Sequence, residues 1–278
     1  MAGMTTLKDK VAVVTGAGSG IGRATAMAFA REGADLVLAD IQADRLEAVK
    51  KEIEKAGGRA MVKTADVSDS DQVKALAEFA IAQRGRVDIL FNNAGVSIGA
   101  RFENTSLEDF HWIFGINFWG VVHGVHHFLP HFIRQQSGHI VNTSSILGLT
   151  SGPGASAYAS TKFAVAGLGE SLRAELARHH IGVTTICPGV IQTRIVEDGR
   201  VRLEEGSRIN RNTLTEFYRN RAWPPERVAR AVVKAVKKNR GVVPVGPEAW
   251  AQWFLKRFSQ RIFEFFLRRA DRFFFNKG

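Results

Sequence analysis

The sequence is poor in cysteine: Cys187 stands alone among 278 residues. No intrachain disulfide can form, and the composition fits a reducing compartment. Long uncharged apolar runs are also missing. None reaches the ~18 residues that read as a membrane-spanning helix. The opening stretch MAGMTTLKDKVAVVTG is broken by Lys8, Asp9 and Lys10, unlike a secretory leader. Internal repeats and low-complexity linkers are absent. Acidic residues are in deficit, with 27 Asp and Glu against 38 Lys and Arg, for a net charge of +11. Such an excess can serve nucleic acid, solubility or an anionic membrane. No nucleic-acid-binding motif accompanies it, so nucleic acid is not an expected partner.

What is present is alternation. KVAVVTG is a β-branched run ending in a glycine turn, and GIGRATAMAFAREG follows with helical apolar spacing. ADLVLAD, RAMVKTAD and VDILFNNAG read as further strands. QADRLEAVKKEIEKAGG and SDQVKALAEFAIAQRG are the helices between them, the latter with Ser70 as expected N-cap. GHIVNTSS, IGVTTICPG and GVVPVG continue the pattern. Strands separated by helices imply βαβ units, hence a single α/β domain with a doubly wound parallel sheet flanked by helices. Composition shifts near Pro247, which divides a catalytic domain, 1–247, from a tail, 248–278.

TGAGSGIG, from Thr15 to Gly22, carries glycines at 16, 20 and 22 with Gly18 extra. It lies between a strand and a helix, where the backbone can turn tightly and a helix N-terminus can face a pyrophosphate. A side chain at Gly16 or Gly20 would obstruct that approach. Asp40 ends the second strand about 20 residues later, the position from which an acid accepts from a ribose 2′-hydroxyl and repels a 2′-phosphate. NAD is therefore expected in preference to NADP.

SAYASTK places Tyr158 and Lys162 four residues apart, on one face of a helix. An ammonium near a phenol favours phenolate and draws the phenol from a pKa of about 10 toward neutrality, suiting it to proton exchange with an alcohol or ketone. IVNTSS lies upstream with Ser145, FNNAG ends a strand, and INFWG holds Asn117 between them.

With these motifs in this order, the chain resembles the short-chain dehydrogenase/reductase family from about residue 7 to 247. The resemblance implies that Tyr158 is the catalytic acid/base and that Lys162 lowers its pKa and holds the nicotinamide ribose. It implies that Ser145, rather than Ser144, polarises the substrate oxygen, and that Asn117 holds a water linking Lys162 to solvent. Gly16, Ser19, Gly20 and Ile21 would hold the cofactor phosphates, with Asp40 on the ribose. Asp66 and Val67 would meet adenine. Asn93, Gly95, Pro188, Ile191 and Thr193 would line the remainder, Thr193 reaching the carboxamide. No metal is required, because the hydride chemistry belongs to the nicotinamide. A homodimer or homotetramer is implied as well.

His123, His127 and His131 recur at four-residue spacing. Pro130 interrupts that run and no Glu or Cys joins it, so packing is expected rather than zinc. The substrate is expected between the loop ILGLTSGPGASA, with Ile146, Leu147, Leu149 and Pro153 as an apolar wall beside Gly189, and a lid from Val190 to Pro225.

The tail, WAQWFLKRFSQRIFEFFLRRADRFFFNKG, holds ten of the chain's 26 aromatic residues. Its apolar positions run 250, 254, 258, 262 and 266, opposite a basic face, as in an interfacial amphipathic helix. Peripheral contact with the anionic inner face of the cell membrane is expected, packing against another subunit being the alternative. Lipid contact favours a lipophilic alcohol or ketone, with a 17β-hydroxysteroid of the estradiol type as first expectation. A 3-ketoacyl-thioester reductase is second. A catalytically inactive membrane scaffold is the reading from another class. On this view the tail stands apart from the catalytic machinery.

Overall fold

A computed structural model describes residues 3–202, 215–216, 220 and 222–275, with side chains through Arg272. In chain order the elements are β1 (Val11–Thr15), α1 (Gly20–Arg31), β2 (Asp35–Asp40), α2 (Ala43–Lys55), β3 (Arg59–Thr64), α3 (Ser70–Arg84) and β4 (Ile89–Asn92). Next come β5 (Ile98–Ala100), α4 (Leu107–Phe114), a π-helical turn (Gly115–Trp119), α5 (Gly120–Gln135), β6 (Gly138–Thr143), α6 (Ser156–Glu175) and β7 (Ile181–Pro188). The last are β8 (Arg200–Arg202), α7 (Pro225–Lys238), β9 (Val242–Val245), α8 (Pro247–Phe258) and α9 (Gln260–Phe275).

Seven strands form one parallel sheet in the order β3-β2-β1-β4-β6-β7-β9. The order reverses between β1 and β4, and a doubly wound sheet opens a crevice at the carboxyl ends of the strands at such a point. The strands alternate without a polar face because both faces are covered. Ala12, Val14, Leu36 and Leu38 pack with Phe29 of α1 and with α7. Val11, Val13, Val37 and Ala39 pack on the other side with Phe128, Phe132 and Leu172. Truncating one of the fully buried phenylalanines, such as Phe128, would cost about 3–5 kcal/mol.

The structure departs from the sequence expectations in four places. The N-cap of α3 is Asp69, not Ser70: its carboxylate accepts from the main-chain N–H groups of Asp71 and Gln72, and a short acid caps as well as a serine does. The helix α5 runs through Pro130 without ending there. Its three spaced histidines bond to neighbouring segments. His123 Nδ1 meets Val67 O at 3.0 Å, His127 Nε2 meets Ser70 Oγ at 2.9 Å, and His131 Nε2 accepts from Val87 N at 3.3 Å. A small second sheet pairs β5 with β8, a pairing across a hundred residues that no local pattern signalled. The tail is two helices rather than one, broken at Ser259, whose backbone is extended (φ −154°, ψ 109°). Of the expected lid, residues 203–214, 217–219 and 221 lie outside the described residues, as do 276–278 of the tail.

Candidate active site

The turn after β1 sets one end of the site. Gly16 and Gly20 have φ of +63° and +51°, a region open to glycine. A Cβ on Gly16 would lie 2.8 Å from Ala94 Cα, and one on Gly20 would lie 3.0 Å from Thr193 Cγ2. The bare backbone leaves a cradle at the N-terminus of α1, where Ser19 makes no side-chain cap and the first amides of the helix are available to an anion. Asn93 braces this turn. Its main-chain N–H donates to Thr15 Oγ1 at 2.9 Å and its side-chain amide to Thr15 O at 3.0 Å. Asp40 sits at the rim, accepting from Gly18 N and Gln42 N, both at 3.0 Å. The glycine turn, the uncapped helix and the rim carboxylate fit a dinucleotide.

At the other end, α6 carries Tyr158 and Lys162. Lys162 is buried, donates to Thr143 O at 3.1 Å, and has its ammonium 5.6 Å from the Tyr158 ring centre. Burial pulls its pKa down to about 8. The same burial pushes the Cys187 thiol up to about 12, so this cysteine is inert.

The two adjacent serines are used differently. Ser144 Oγ donates to the main-chain carbonyl of Lys162 at 2.7 Å. Ser145 Oγ accepts from Leu147 N at 3.1 Å, and its own hydrogen meets no acceptor among the described residues. Asn117 sits in the π-helical turn, fully buried. Its Nδ2 donates to Val96 O (2.9 Å) and Thr161 Oγ1 (3.2 Å), and its Oδ1 accepts from Val96 N at 2.8 Å. Both amide hydrogens are therefore spent on protein. Gly95 lets this group and Lys162 approach the backbone: a Cβ there would lie 3.1 Å from Asn117 Oδ1 and 3.4 Å from Lys162 Nζ.

These ends are joined by one cleft of about 1300 Å³. The glycine turn lines it with Gly16, Ser19, Gly20 and Ile21, and Asp40, Asp66, Val67, Asn93 and Gly95 follow. Ser145, Leu147, Pro153, Tyr158 and Lys162 line it as well, with Pro188, Gly189, Ile191 and Thr193. Asn117 lies behind this surface, and Leu149 is not on it.

Several wall residues were not foreseen. Arg45 stands at the Asp40 end, paired with Asp198 at 3.4 Å. Arg200 of β8 stacks on Trp112, 4.1 Å from the ring centre, and donates to the fully buried Asp109 at 2.7 Å, which Arg202 also meets at 3.0 Å. Burial raises the Asp109 pKa, but hydrogen bonds from Arg200 and Ser106 and the Arg202 charge outweigh it and hold the carboxyl below its usual range. The tail supplies Gln252, Leu255, Phe263, Phe266, Leu267 and Ala270. Its first turn is stitched to the cleft, Glu248 accepting from Val190 N and Trp223 Nε1, both at 3.2 Å. The tail thus forms part of the cleft wall. The apolar stripe was legible in the sequence, but the break at Ser259, which gives each half its own direction, was not.

A doubly wound sheet with a glycine turn at its switch point and a Tyr–Lys pair in the same crevice defines a nucleotide-dependent oxidoreductase. The chain belongs to the short chain dehydrogenase family, whose pattern it matches over residues 10–202. It is 39% identical over 258 residues to the Mycobacterium tuberculosis protein named as the oxidoreductase SadH, covering 91% of this chain and 92% of that protein. With EphD of the same organism, also named as an oxidoreductase, identity is 41% over 254 residues, 90% of this chain. The match spans only 43% of EphD, less than half of that relative. A short chain dehydrogenase of Burkholderia phymatum solved in complex with NAD superposes with a TM-score of 0.87 at 33% identity, over 93% of this chain and 96% of that one.

Proposed function

We propose that the protein interconverts a lipophilic secondary alcohol and its ketone, with NAD in preference to NADP, and that a hydroxysteroid of the 17β type is the first substrate to test. The observation that carries this reading is the apolar wall that α8 and α9 add to the Ser145–Tyr158 end of the cleft. NAD is favoured by the Asp40 carboxylate, a ribose acceptor and a repellent for a 2′-phosphate. Asp66 and Val67 would meet the adenine, and Thr193 the nicotinamide carboxamide, all three lining the cleft.

A nicotinamide held in this cleft would supply the hydride chemistry. The chain's own groups handle the proton and the oxygen. The Tyr158 hydroxyl gives a proton to the carbonyl oxygen in reduction and takes it back in oxidation. Ser145, with its free hydrogen, donates to the same oxygen and polarises it. Lys162, held by Thr143 O, keeps positive charge beside the phenol and would hold the nicotinamide ribose. Asn117 holds the Val96 backbone between β4 and β5 behind both, and a water relaying protons from Lys162 belongs beside it.

The same reading extends to the tail. Trp250, Phe254 and Phe258 on α8 and Ile262 and Phe266 on α9 are exposed, 39–85% accessible, with Trp250 and Phe254 stacked at 5.6 Å. The tail from 248 to 278 carries seven Lys and Arg against three Asp and Glu. Aromatics beside arginines suit the headgroup boundary of an anionic membrane, and no described helix is long and apolar enough to cross one. We assign the protein to the cytoplasmic membrane face as a homodimer or homotetramer.

Turnover of NAD⁺ and NADP⁺ with steroid alcohols, retinol, 2-alkanols and hydroxyacyl thioesters, followed by absorbance of the reduced cofactor, tests the reading. Preference for the hydroxyacyl thioesters would replace it with the thioester reductase. Absence of turnover with every substrate would favour the scaffold. Sedimentation with anionic vesicles tests the membrane assignment, and a tail buried between subunits would leave the protein in the supernatant.

A further inference from the structure

The two faces of α9 differ. Residues 262, 265 and 266 are exposed, whereas Phe263 is 5% accessible. Phe263, Leu267 and Ala270 follow at helical spacing and all line the cleft. The helix pair is fastened at both sides of the opening by groups other than these three. Lys256 Nζ donates to Leu149 O at 3.0 Å and lies 4.6 Å from the Phe163 ring centre. Thr150 Oγ1 donates to Gln252 Oε1 at 3.3 Å. Arg101, just past β5, pairs with Asp271 at 2.9 Å. Both Leu149 and Arg101 belong to segments that flank the substrate end, so α8 and α9 bridge it.

A helix clamped in this way, with an apolar inner face on a cleft that also holds Trp112 and Leu147, has a use beyond covering the core. We infer that the inner face of α9, formed by Phe263, Leu267 and Ala270, is the specificity-determining wall that contacts the apolar body of the substrate beyond the reacting carbon. The inference rests on the lipophilic-alcohol reading and assigns its chain-length and ring selectivity to these three positions. Short alcohols, held at the Ser145–Tyr158 end, do not reach them.

Two measurements separate the inference from that reading. In the first, kcat/KM is compared for 2-decanol and 2-butanol in the wild type, Leu267→Ser and Ala270→Trp, with NADH binding followed by fluorescence. The variants are expected to lose roughly 10-fold or more in the 2-decanol/2-butanol ratio, the size of effect that small changes in apolar contact produce. An unchanged ratio in folded variants that bind NADH overturns the wall. A merely structural role would lower both substrates together.

The second needs no turnover. Ala270→Cys introduces a thiol beside a background cysteine, Cys187, that is buried and unreactive. Its alkylation by maleimide in the presence of NADH should be slowed at least ~5-fold by 2-decanone and little by 2-butanone. Equal protection by both ketones, or by neither, overturns the inference. Protection by 2-decanone without any turnover of 2-decanol would sink the catalytic reading and leave the wall standing.

Discussion

The Ser144 hydroxyl donates to the main-chain carbonyl of Lys162 at 2.7 Å, tying the segment after β6 to the middle of α6. A Cβ at Gly148 would collide with Ser144 Oγ, so the loop must pass there as bare backbone. The bond anchors the helix that carries Tyr158 and leaves the neighbouring Ser145 to face the cleft.

The serines should separate by phenotype. Ser145→Ala is expected to lower kcat roughly 10²-fold, as loss of a donor to a reacting oxygen does. Ser144→Ala should cost about 1 kcal/mol of stability and less turnover than its neighbour. Parallel kinetics and thermal melts distinguish the two. Tyr158→Phe should lower kcat by about 10²–10⁴-fold while NADH still binds. Substantial residual turnover would remove Tyr158 from the proton-transfer step.

Asp40→Asn keeps an oxygen for Gly18 N and removes the charge. The NAD⁺/NADP⁺ ratio of kcat/KM should fall about 10-fold or more, since the repulsive element is lost. An unaltered ratio would place cofactor choice elsewhere, for example at Arg45, which also lines the cleft.

Lys162 should carry a stability penalty. Its folded pKa, about 8, lies below the ordinary lysine value of 10.5 because it is buried. Below pH 8 both states are charged and the whole penalty acts. Between pH 8 and 10.5 the unfolded chain holds a proton that the folded chain has lost, so stability rises with pH. Lys162→Met should therefore abolish turnover yet stabilise the cofactor-free protein by up to about 3 kcal/mol at neutral pH. That gain should shrink toward pH 10, which melts at the two pH values would read.

His139 acts at the opposite end of the scale. It is buried against Thr184 Oγ1 at 2.8 Å, and burial with the Arg173 charge takes its pKa from 6.5 to about 3. The unfolded chain gains this proton below pH 6.5 and the folded chain does not, so stability falls from pH 6.5 toward pH 3. At pH 5 the loss from this residue is about 2 kcal/mol. A His139→Gln variant should show a flatter melting-temperature profile between pH 7 and 5.

Asp109→Asn removes the charge that holds Arg200 and Arg202, both 90 or more residues away in sequence. The β5–β8 pairing should loosen, with trypsin cleaving after Arg200 and Arg202 faster than in the wild type. Unchanged cleavage would show that backbone pairing alone retains β8.

Much of this protein is written in local pattern. The seven strands are β-branched runs between glycine turns, and the parallel sheet follows because helices separate them. The glycine turn and the Tyr158–Lys162 pair were also legible, since both are set by spacing within one or two turns of backbone. Tertiary structure decided what depends on distant partners. Asp109 meets Arg200, β5 meets β8, and Ser144 rather than Ser145 is consumed by Lys162. It decided the tail as well. Periodicity marks an apolar stripe on a helix, but not which neighbour covers it. Only the break at Ser259 and the contacts at Leu149, Thr150 and Arg101 turn Phe263 into the cleft and leave Phe266 at its rim, because a side chain's burial is set by what the rest of the chain brings against it.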